Sequence, residues 1–325
     1  MLCIMLFSVT SLFSGLTLAC YAVPVLCALL IQIMIRIGVL DHPVSRSAHI
    51  RPTPKGGGIG IIGSFLVTVP LALYMHPQTH IAPITSLLVG VFFLATVSWA
   101  DDIYSFKAWY KLAAQCLAAF LVALPVTSNP LSLAGDVCLV VFMTNALNFI
   151  DGINGLAAGS MAIASLLLAA TGLHPEILLP LALALLTFLP FNFPKARIFM
   201  GDVGSQAAAL VMAWCAIQPI HTEPTLVLAL LSGILWDVLF TLIRRLCAGN
   251  HLMTAHRGHL YQLATRSGLS AFFITLLYWA FVLWGAIVLN LTAHIYTAIA
   301  LILAPQCGWT AFICYRARKY ISDAW

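Results

Sequence analysis

The chain alternates long apolar segments with short polar gaps, and this alternation constrains its fold more than any single motif. Hydrophobic residues fill 62% of the 325 positions and charged residues only 8%, whereas charged residues make up about 25% of an ordinary soluble domain. The apolar segments run for about twenty residues, the length a helix needs to cross roughly 30 Å of hydrocarbon. Helices satisfy their own backbone hydrogen bonds in lipid, and the segments are too long for barrel strands. The sequence therefore predicts an all-α polytopic membrane protein.

The apolar segments define eleven expected membrane spans, which form one transmembrane domain over residues 1–325. They cover residues 7–39, 57–75, 81–100, 110–127, 131–149, 155–172, 175–191, 204–220, 224–243, 270–290 and 292–315. All fifteen Lys and Arg residues lie in odd-numbered gaps, in the C-terminal tail or, for Arg36, at the end of the first span. Because basic residues mark the cytoplasmic side, we expect a multi-pass inner-membrane protein with a periplasmic N-terminus and a cytoplasmic C-terminus.

Charge and cysteine usage exclude some function classes. The net charge of +5 comes from the basic gaps, and it favours anionic lipid headgroups or phosphorylated ligands over nucleic acid. The nine cysteines are scattered singly without metal-ligand spacing, so we interpret them as small buried apolar residues.

Five gaps on the expected cytoplasmic side, named here loops one to five, hold nearly all of the unusual polar residues. They span residues 41–58, 98–111, 145–159, 191–205 and 244–266. In loop one, prolines and three consecutive glycines predict irregular structure. Glycines let a backbone approach a ligand closely, and Lys55 beside them supplies positive charge. Taken alone, a simple connector with basic residues explains loop one slightly better.

Loop two carries two adjacent carboxylates, Asp101 and Asp102, at the end of a span. Carboxylates there are costly unless they are hydrated, paired or bound to a cation, so they favour a functional role. Lys107 and Lys111 lie one helical turn apart and are expected to share a face. Carboxylates and ammonium groups together are the parts of a phosphoryl-transfer site. A solvated helix end with local ion pairs is the alternative interpretation.

In loop three, polar side chains recur every three residues. Asn145, Asn148 and Asp151 would line one face of a continuing helix, and Asn154 follows among glycines. Three amides and a carboxylate at a membrane edge need partners, which a hydrophilic ligand or a hydrated metal ion would supply. Contacts between helices explain one or two of the asparagines but not all four residues.

Loop four sets Asp202 between two glycines just before the eighth span. A carboxylate there could bind Mg²⁺, which takes one or two carboxylates together with waters and substrate phosphates. Phe199, three residues earlier, offers a flat ring on which a nucleobase could stack. A membrane-edge aromatic is an equally good interpretation of Phe199.

Loop five is basic and rich in imidazole groups. His256, Arg257 and His259 suit a diphosphate, because cationic donors bind phosphate oxygens strongly. A zinc site built on the same histidines is a weaker interpretation, since no cysteine and no clear third ligand accompany them.

Loops two to five together resemble the polyprenyl-phosphate N-acetylhexosamine-1-phosphate transferases, glycosyltransferase family 4. The matching strings are Asp101-Asp102 with Lys111, Asn145-x-x-Asn148-x-x-Asp151-Gly152-x-Asn154, Phe199-x-x-Asp202, and His256-Arg257-x-His259. Four motifs in order on one expected face make the resemblance specific. It implies transfer of an N-acetylhexosamine-1-phosphate from a UDP-sugar to undecaprenyl phosphate, with release of UMP. Loop five is similar to the subgroup that starts O-antigen synthesis.

The resemblance also implies roles for individual residues. Mg²⁺, with Mn²⁺ as a substitute, is expected on Asp202 and Asn148. The implied catalytic residues are Asp101, Asp102, Asp151, Lys111, His256, Arg257 and His259. The implied substrate-binding residues are Lys55, Lys107, Asn145, Gly152, Asn154 and Phe199. The expected partners are the UDP-sugar, undecaprenyl phosphate and membrane lipids, without nucleic acid, and a homodimer is one assembly open to the chain.

Other function classes stay open on sequence alone. A transporter would place its polar site near the bilayer midplane, and Asp237 is the one clear ionisable residue deep in a span; we expect it near the cytoplasmic site. Phosphotransferases that act on CDP-alcohols need a signature that is missing after Asp151-Gly152. A peptidoglycan-type phospho-sugar transferase belongs to the same superfamily. A scaffold protein would not need four carboxylates on one face.

Overall fold

The computed structural model describes residues 15–41, 43, 52–75, 81–218, 224–251 and 256–322. These ranges are almost wholly helical. The first part of the chain comprises α1 (Gly15–Ile37), β1 (Leu40–Asp41), β2 (Thr53–Pro54), α2 (Gly57–Met75), α3 (Ile81–Tyr104), α4 (Ala108–Ala123) and α5 (Pro130–Ile150). The second part comprises α6 (Leu156–Ala170), α7 (Pro175–Asn192), α8 (Gly201–Ala216), α9 (Pro224–Leu230), α10 (Ser232–Cys247), α11 (Leu260–Arg266), α12 (Ala271–Leu291) and α13 (Ile295–Tyr320).

The all-α prediction is confirmed, because each expected span contains a helix in the described ranges. Six helices are long and apolar enough to cross a membrane: α1, α3, α5, α7, α12 and α13. Three others, α2, α4 and α6, are apolar but shorter. The ninth expected span is divided at Leu231 into α9 and α10. The count of eleven spans and their orientation therefore stay predictions, as do residues 7–14 of the first span, which lie outside the described ranges.

α8 is the buried centre of the bundle. Every residue from Val203 to Ala216 is buried, and the helix packs against α2, α3 and α5. Small residues allow this close packing: a Cβ atom at Gly58 of α2 would lie 2.2 Å from the backbone nitrogen of Gly204. Because Asp202 lies in the first turn of this helix, the core itself fixes the position of that carboxylate.

The irregular structure expected for loop one is only partly observed. β1 and β2 pair in antiparallel register, with Leu40 opposite Pro54. The Phe199 amide donates to the Pro54 carbonyl at 2.8 Å, and the Gly57 amide donates to the Phe199 carbonyl at 2.9 Å. The prediction is wrong for residues 53–57, because loop four supplies main-chain partners that the sequence of loop one does not reveal. Most of the basic stretch around Arg46 and Arg51 lies outside the described residues.

Candidate active site

Residues from all five loops meet at one end of the helix bundle. Lys55 of loop one contacts Asp102 of loop two, and Lys111 of loop two contacts Asp202 of loop four. Asn148 at the end of α5 also reaches Asp202. Loop five joins them through Tyr261, whose hydroxyl donates to the Phe149 carbonyl at 2.9 Å. These contacts bring the loops together, and their expected position on the cytoplasmic face stays a prediction.

Lys111 lies between two carboxylates from different helices. Its Nζ is 2.5 Å from Asp101 Oδ2 and 3.0 Å from Asp202 Oδ2. Asp101 lies in the last turn of α3, and Asp202 lies in the first turn of α8. One ammonium group therefore bridges the helix ends that carry loops two and four. Its position in the first turn of α4 gives it this reach.

Lys107 does not share the position of Lys111. The helix starts at Ala108, and Lys107 precedes it in an extended conformation. Its side chain is exposed, whereas the Lys111 side chain enters the cluster. The expected shared face is therefore not formed, because four-residue spacing aligns side chains only when both residues lie inside the helix.

The two adjacent aspartates of loop two have different surroundings. Asp101 uses both oxygens: Oδ1 accepts from the Phe106 amide at 2.7 Å, and Oδ2 faces Lys111. Asp102 uses Oδ1 for Lys55, at 3.2 Å. Its Oδ2 is buried and has no hydrogen-bond partner among the described residues. Asp101 thus stabilises the turn that ends at Phe106. Asp102 has one oxygen that can accept a proton, a cation or a hydrogen bond from a bound ligand.

Gly201 makes room for the second oxygen of Asp102. A Cβ atom at Gly201 would lie 3.0 Å from Asp102 Oδ2, and the Gly201 φ of +74° disfavours any other residue. Asp102 therefore approaches the first residue of α8, where backbone N–H groups carry partial positive charge.

Both oxygens of Asp202 contact neighbouring side chains. Oδ1 accepts from the Asn148 amide at 3.1 Å, and Oδ2 accepts from the Gln206 amide at 3.1 Å in addition to Lys111. The Asn148 amide also donates to the Ser205 hydroxyl at 2.8 Å. These contacts place two expected metal ligands, Asp202 and Asn148, side by side.

Asn145 lies one turn before Asn148 and faces inward. Its amide donates to the Gln115 carbonyl oxygen at 2.7 Å and to the Val141 backbone at 2.8 Å. Its expected role in substrate binding stays a prediction, and its contacts favour support of the site. The row of polar residues on one helix face, expected for loop three, does not extend beyond Asn148, because α5 ends at Ile150 and Asp151 is its C-cap.

Asp151 and Gly152 form the junction between loops three and five. Burial, together with the negative charges of Asp202 and Asp102, raises the pKa of Asp151 well above its usual value. A Cβ atom at Gly152 would lie 2.0 Å from the Tyr261 hydroxyl. Glycine is thus required at this position, because the phenol of loop five packs directly on the backbone of loop three.

Two of the expected substrate-binding residues, Asn154 and Phe199, lie where loops three and four touch. The Asn154 amide donates to the Pro194 carbonyl at 3.1 Å. Buried Asn192 accepts from the Gly155 amide at 2.7 Å and donates to the Ile198 carbonyl at 3.1 Å, so it ties the two loops together. Phe199 is held by its backbone on both sides, and its side chain is half-buried.

Asp237 organises loop five from inside the bundle. This fully buried carboxylate accepts from the backbone amides of Leu260 and Tyr261, at 2.7 and 3.0 Å, which begin α11. The Tyr278 hydroxyl donates to it at 2.5 Å. The expectation that Asp237 lies near the site holds in this sense: it fixes the short helix that carries Tyr261.

The imidazole groups of His256 and His259 in loop five lie close to Asp237. His259 is buried, with Nδ1 3.5 Å from Asp237 Oδ1, and its ring centre is 4.9 Å from that of His256. Burial, with further contributions from His259, Arg245 and Arg244, lowers the pKa of His256 to about 4. His256 is thus a neutral imidazole at pH 7. Arg257 is half-buried, and its carbonyl accepts from Arg266 at 3.1 Å.

The residues expected to hold Mg²⁺ fit a site with few protein ligands. Asp202 is 27% exposed, and its Oδ1 accepts one hydrogen bond from the described chain. The crowding of Asp102, Asp151 and Asp202 is a charge imbalance that a divalent cation would relieve. In the described ranges, no three His, Cys, Asp or Glu side chains form a metal-binding group. This gives a zinc site no support, whereas Mg²⁺ completes its shell with waters and phosphates.

Two glutamines are site residues that the motifs do not include. Gln115 and Gln206 are 4% and 2% exposed, and both lie within apolar helices. Polar side chains inside spans usually face the bundle interior and pair with one another. That rule is the sequence signal that could have identified them.

Comparison with known proteins gives a consistent set of similarities. The sequence model of the glycosyl transferase family 4 matches residues 84–220, which include the expected residues of loops two, three and four. The chain is 29% identical over 265 residues to a probable undecaprenyl-phosphate N-acetylglucosaminyl 1-phosphate transferase of Bacillus subtilis, covering 74% of this chain and 73% of that protein.

Two further relatives broaden the comparison. A decaprenyl-phosphate N-acetylglucosaminephosphotransferase of Mycobacterium tuberculosis is 28% identical over 278 residues, covering 70% of this chain and 69% of that protein. A phospho-N-acetylmuramoyl-pentapeptide-transferase of Lacticaseibacillus paracasei is 32% identical over 220 residues, covering 57% of this chain and 65% of that protein.

Proposed function

Because the chain belongs to glycosyl transferase family 4, the polyprenyl-phosphate hexosamine-1-phosphate transferases, we propose that it transfers an N-acetylhexosamine-1-phosphate from a UDP-sugar to undecaprenyl phosphate. The products are UMP and undecaprenyl-diphosphate-sugar. The observation that carries the proposal is the position of Lys111, which lies between Asp101 and Asp202 and joins loop two to loop four. Cations and carboxylates at the end of an apolar bundle suit a reaction between a lipid phosphate and a nucleotide diphosphate.

The reaction is a direct displacement at phosphorus. An oxygen of the lipid phosphate attacks the β-phosphorus of the UDP-sugar, and the bond from that phosphorus to the bridging oxygen breaks, so UMP leaves with the bond's electron pair. A phosphate monoester has a second pKa near 6, so the nucleophile is already largely dianionic at neutral pH. The protein therefore contributes mainly alignment and charge neutralisation.

The described residues divide this work between them. Lys111 and Lys55 supply positive charge next to the carboxylates, which offsets the repulsion felt by an incoming phosphate. Asp102, with its unpaired buried oxygen, accepts any proton that the lipid phosphate carries and orients it. When bound on Asp202 and Asn148, Mg²⁺ would neutralise negative charge on the diphosphate.

Loops three, four and five supply the nucleotide and diphosphate contacts in this proposal. Phe199 offers its ring to the uracil, and Asn154 and Gly152 supply hydrogen bonds to the base. His256, Arg257 and His259 approach the diphosphate and the sugar from loop five, which Asp237 holds in place. The site faces the cytoplasm, where basic loops are retained, and the product starts an O-antigen or a related surface glycan.

A peptidoglycan-type phospho-sugar transferase is the second candidate function. The similarity to the phospho-N-acetylmuramoyl-pentapeptide-transferase supports it. The two candidates differ in the donor sugar and not in the phosphorus chemistry. A transporter receives no such support, because the described carboxylates of loops two to four cluster at the bundle end.

The test is UMP release by the purified protein in lipid, with one UDP-sugar at a time and with or without undecaprenyl phosphate. We expect UMP only when the lipid phosphate is present, and with a UDP-N-acetylhexosamine as the donor. Turnover restricted to UDP-N-acetylmuramoyl-pentapeptide would establish the second candidate. Absence of UMP with every donor would overturn both.

Metal dependence gives the first specific prediction. Asp202→Asn keeps the shape of the side chain but removes the charge that holds a hard cation. We expect transfer to fall at least about 100-fold, and EDTA to abolish turnover of the unchanged protein. Asp136→Asn is the matched control, because Asp136 lies in α5 and binds Thr127 at its other end. Full turnover in EDTA would reject the metal assignment.

Nucleotide stacking gives the second prediction. Loss of a base-stacking ring costs about 1–3 kcal/mol, or roughly 5- to 150-fold in binding. Phe199→Ala is therefore expected to raise the KM for the UDP-sugar by that factor and to leave the KM for the lipid nearly unchanged. Phe92→Ala, which removes an exposed ring from the middle of α3, serves as the control. An unchanged nucleotide KM would return Phe199 to the role of an interfacial aromatic.

A further inference from the structure

A chain of side-chain amides runs from the interior of the bundle to Asp202. Asn145 donates to Gln115 at 2.7 Å, Gln115 donates to Gln206 at 3.2 Å, and Gln206 donates to Asp202 Oδ2 at 3.1 Å. The amides come from α5, α4 and α8, so the chain links three helices. In the first two steps the NH₂ group of one amide donates to the carbonyl oxygen of the next, and in the last step it donates to the carboxylate of Asp202.

The direction of this chain is fixed at its outer end. An ionised carboxylate only accepts hydrogen bonds, so Gln206 must present its NH₂ group to Asp202. Its carbonyl oxygen then faces Gln115, so Gln115 must donate through its NH₂ group. The carbonyl oxygen of Gln115 is then left to accept from the NH₂ group of Asn145. All three amide dipoles thus align with their positive ends toward Asp202. Aligned hydrogen bonds strengthen one another in a low-dielectric interior.

The chain also determines which oxygen of Asp202 remains available. Each carboxylate oxygen accepts about two hydrogen bonds. Oδ2 has both positions filled, by Gln206 and Lys111. Oδ1 accepts from Asn148 and has one position left in the described structure. A ligand that approaches the partly exposed Asp202 therefore meets Oδ1 and not Oδ2.

We propose that Gln115 and Gln206 are positioning residues, whose chain of amides orients the Asp202 carboxylate so that Oδ1 alone faces the substrate side. They touch neither substrate nor the reacting phosphorus, and they act through Asp202. The inference rests on the proposed function, in which Asp202 would hold a divalent cation. Without the chain, the carboxylate rotates about its χ2 torsion, and both oxygens compete for Lys111 and the cation.

The burial of both glutamines supports a specific role over general packing. A buried amide costs free energy unless its groups are paired, and an apolar side chain of the same length would fill either position. The bundle instead retains two amides, at 4% and 2% exposure, in a line that ends at the site. Outer-shell hydrogen bonds of this kind typically change metal affinity by about 10- to 100-fold when they are removed.

The experiment compares four variants of the full-length protein in lipid: Gln206→Met, Gln115→Met, the double variant, and the control Gln306→Met. Gln306 is equally buried, and it donates to Ser232 at 2.8 Å between α13 and α10, apart from the amide chain. Three quantities are measured: Mn²⁺ affinity by electron paramagnetic resonance of the free ion, kcat, and the KM for the lipid acceptor. Thermal unfolding reports whether each variant is folded.

We expect Gln206→Met to weaken Mn²⁺ binding at least about tenfold and to lower kcat, with the lipid KM within about twofold of that of the unchanged protein. Gln115→Met should have a smaller effect of the same kind. The double variant should match Gln206→Met, because residues that act as one unit are not additive. If Gln206→Met does not fold, Gln115→Met alone carries the comparison.

Three results separate the possible failures. Unchanged Mn²⁺ affinity and kcat in the folded glutamine variants, as in Gln306→Met, would overturn the positioning role while leaving the transferase function intact. Effects of the two single variants that add in the double variant would also overturn it. If the unchanged protein has neither transferase activity nor Mn²⁺ affinity, the proposed function fails first.

Discussion

Lys111→Met is expected to reduce kcat by at least about 100-fold, a loss typical of removing one group that stabilises charge in the transition state. The substitution keeps an unbranched side chain of similar length but removes the ammonium group that contacts Asp101 and Asp202. The two carboxylates then face each other without a cation, and an incoming phosphate meets uncompensated negative charge. Steady-state UMP release with saturating substrates measures the effect.

Lys107→Met is the matched control for this experiment. It removes the same charge from the same loop, but from a side chain that is exposed and lies outside α4. We expect kcat within about threefold of that of the unchanged protein, since exposed charges contribute little through screened interactions. Equal losses from both substitutions would mean that loop two acts only through its net charge, and the bridging role of Lys111 would be abandoned.

The contrast between these lysines shows what the sequence predicts well and what it does not. Charged and amide residues are conspicuous in a chain with so few of them, and an intramembrane ionisable group favours function. The members of the cluster could therefore be named from the sequence, including Asp101, Asp202 and Asn148. The starting residue of α4 could not be predicted, and it leaves Lys107 before the helix and Lys111 inside it.

The difference between the surroundings of Asp101 and Asp102 also depends on a local feature of the backbone. Ser105 adopts a positive φ of 55°, and this turn aims the Phe106 amide at Asp101. A positive φ at serine has no clear sequence signal, since glycine and asparagine are the residues that favour it. Adjacent carboxylates therefore look equivalent in the sequence and become distinct only when the turn is known.

The amide chain cannot be predicted from the sequence, for a different reason. Glutamines within apolar helices carry no charge and belong to no motif, and each one alone is explained by contact between helices. Their significance comes from contact between residues that are 91 positions apart, Gln115 and Gln206. Periodicity within one helix cannot predict such a contact, whereas the packing of α4 on α8 creates it.

Mixing the protein with a UDP-sugar in the absence of the lipid acceptor is expected to release no burst of UMP. A lipid phosphate that is already anionic attacks phosphorus directly, so no sugar-phosphate needs to be held on the protein. Rapid quenching of enzyme and UDP-sugar at comparable concentrations measures the amount of UMP formed per protein molecule. A lipid-independent burst, with sugar-phosphate trapped on an aspartate, would establish a covalent intermediate instead.

Asp102→Asn completes this experiment. The buried Oδ2 of Asp102 has no partner among the described residues, so it is free to accept a proton and orient the acceptor. We expect its loss to lower kcat by about 100-fold or more, the usual contribution of a positioned acid or base, with the KM for the UDP-sugar nearly unchanged. Asp101→Asn should cost less, because an amide oxygen still accepts from Phe106. The reverse order would assign the acceptor-side role to Asp101 and reduce Asp102 to a partner of Lys55.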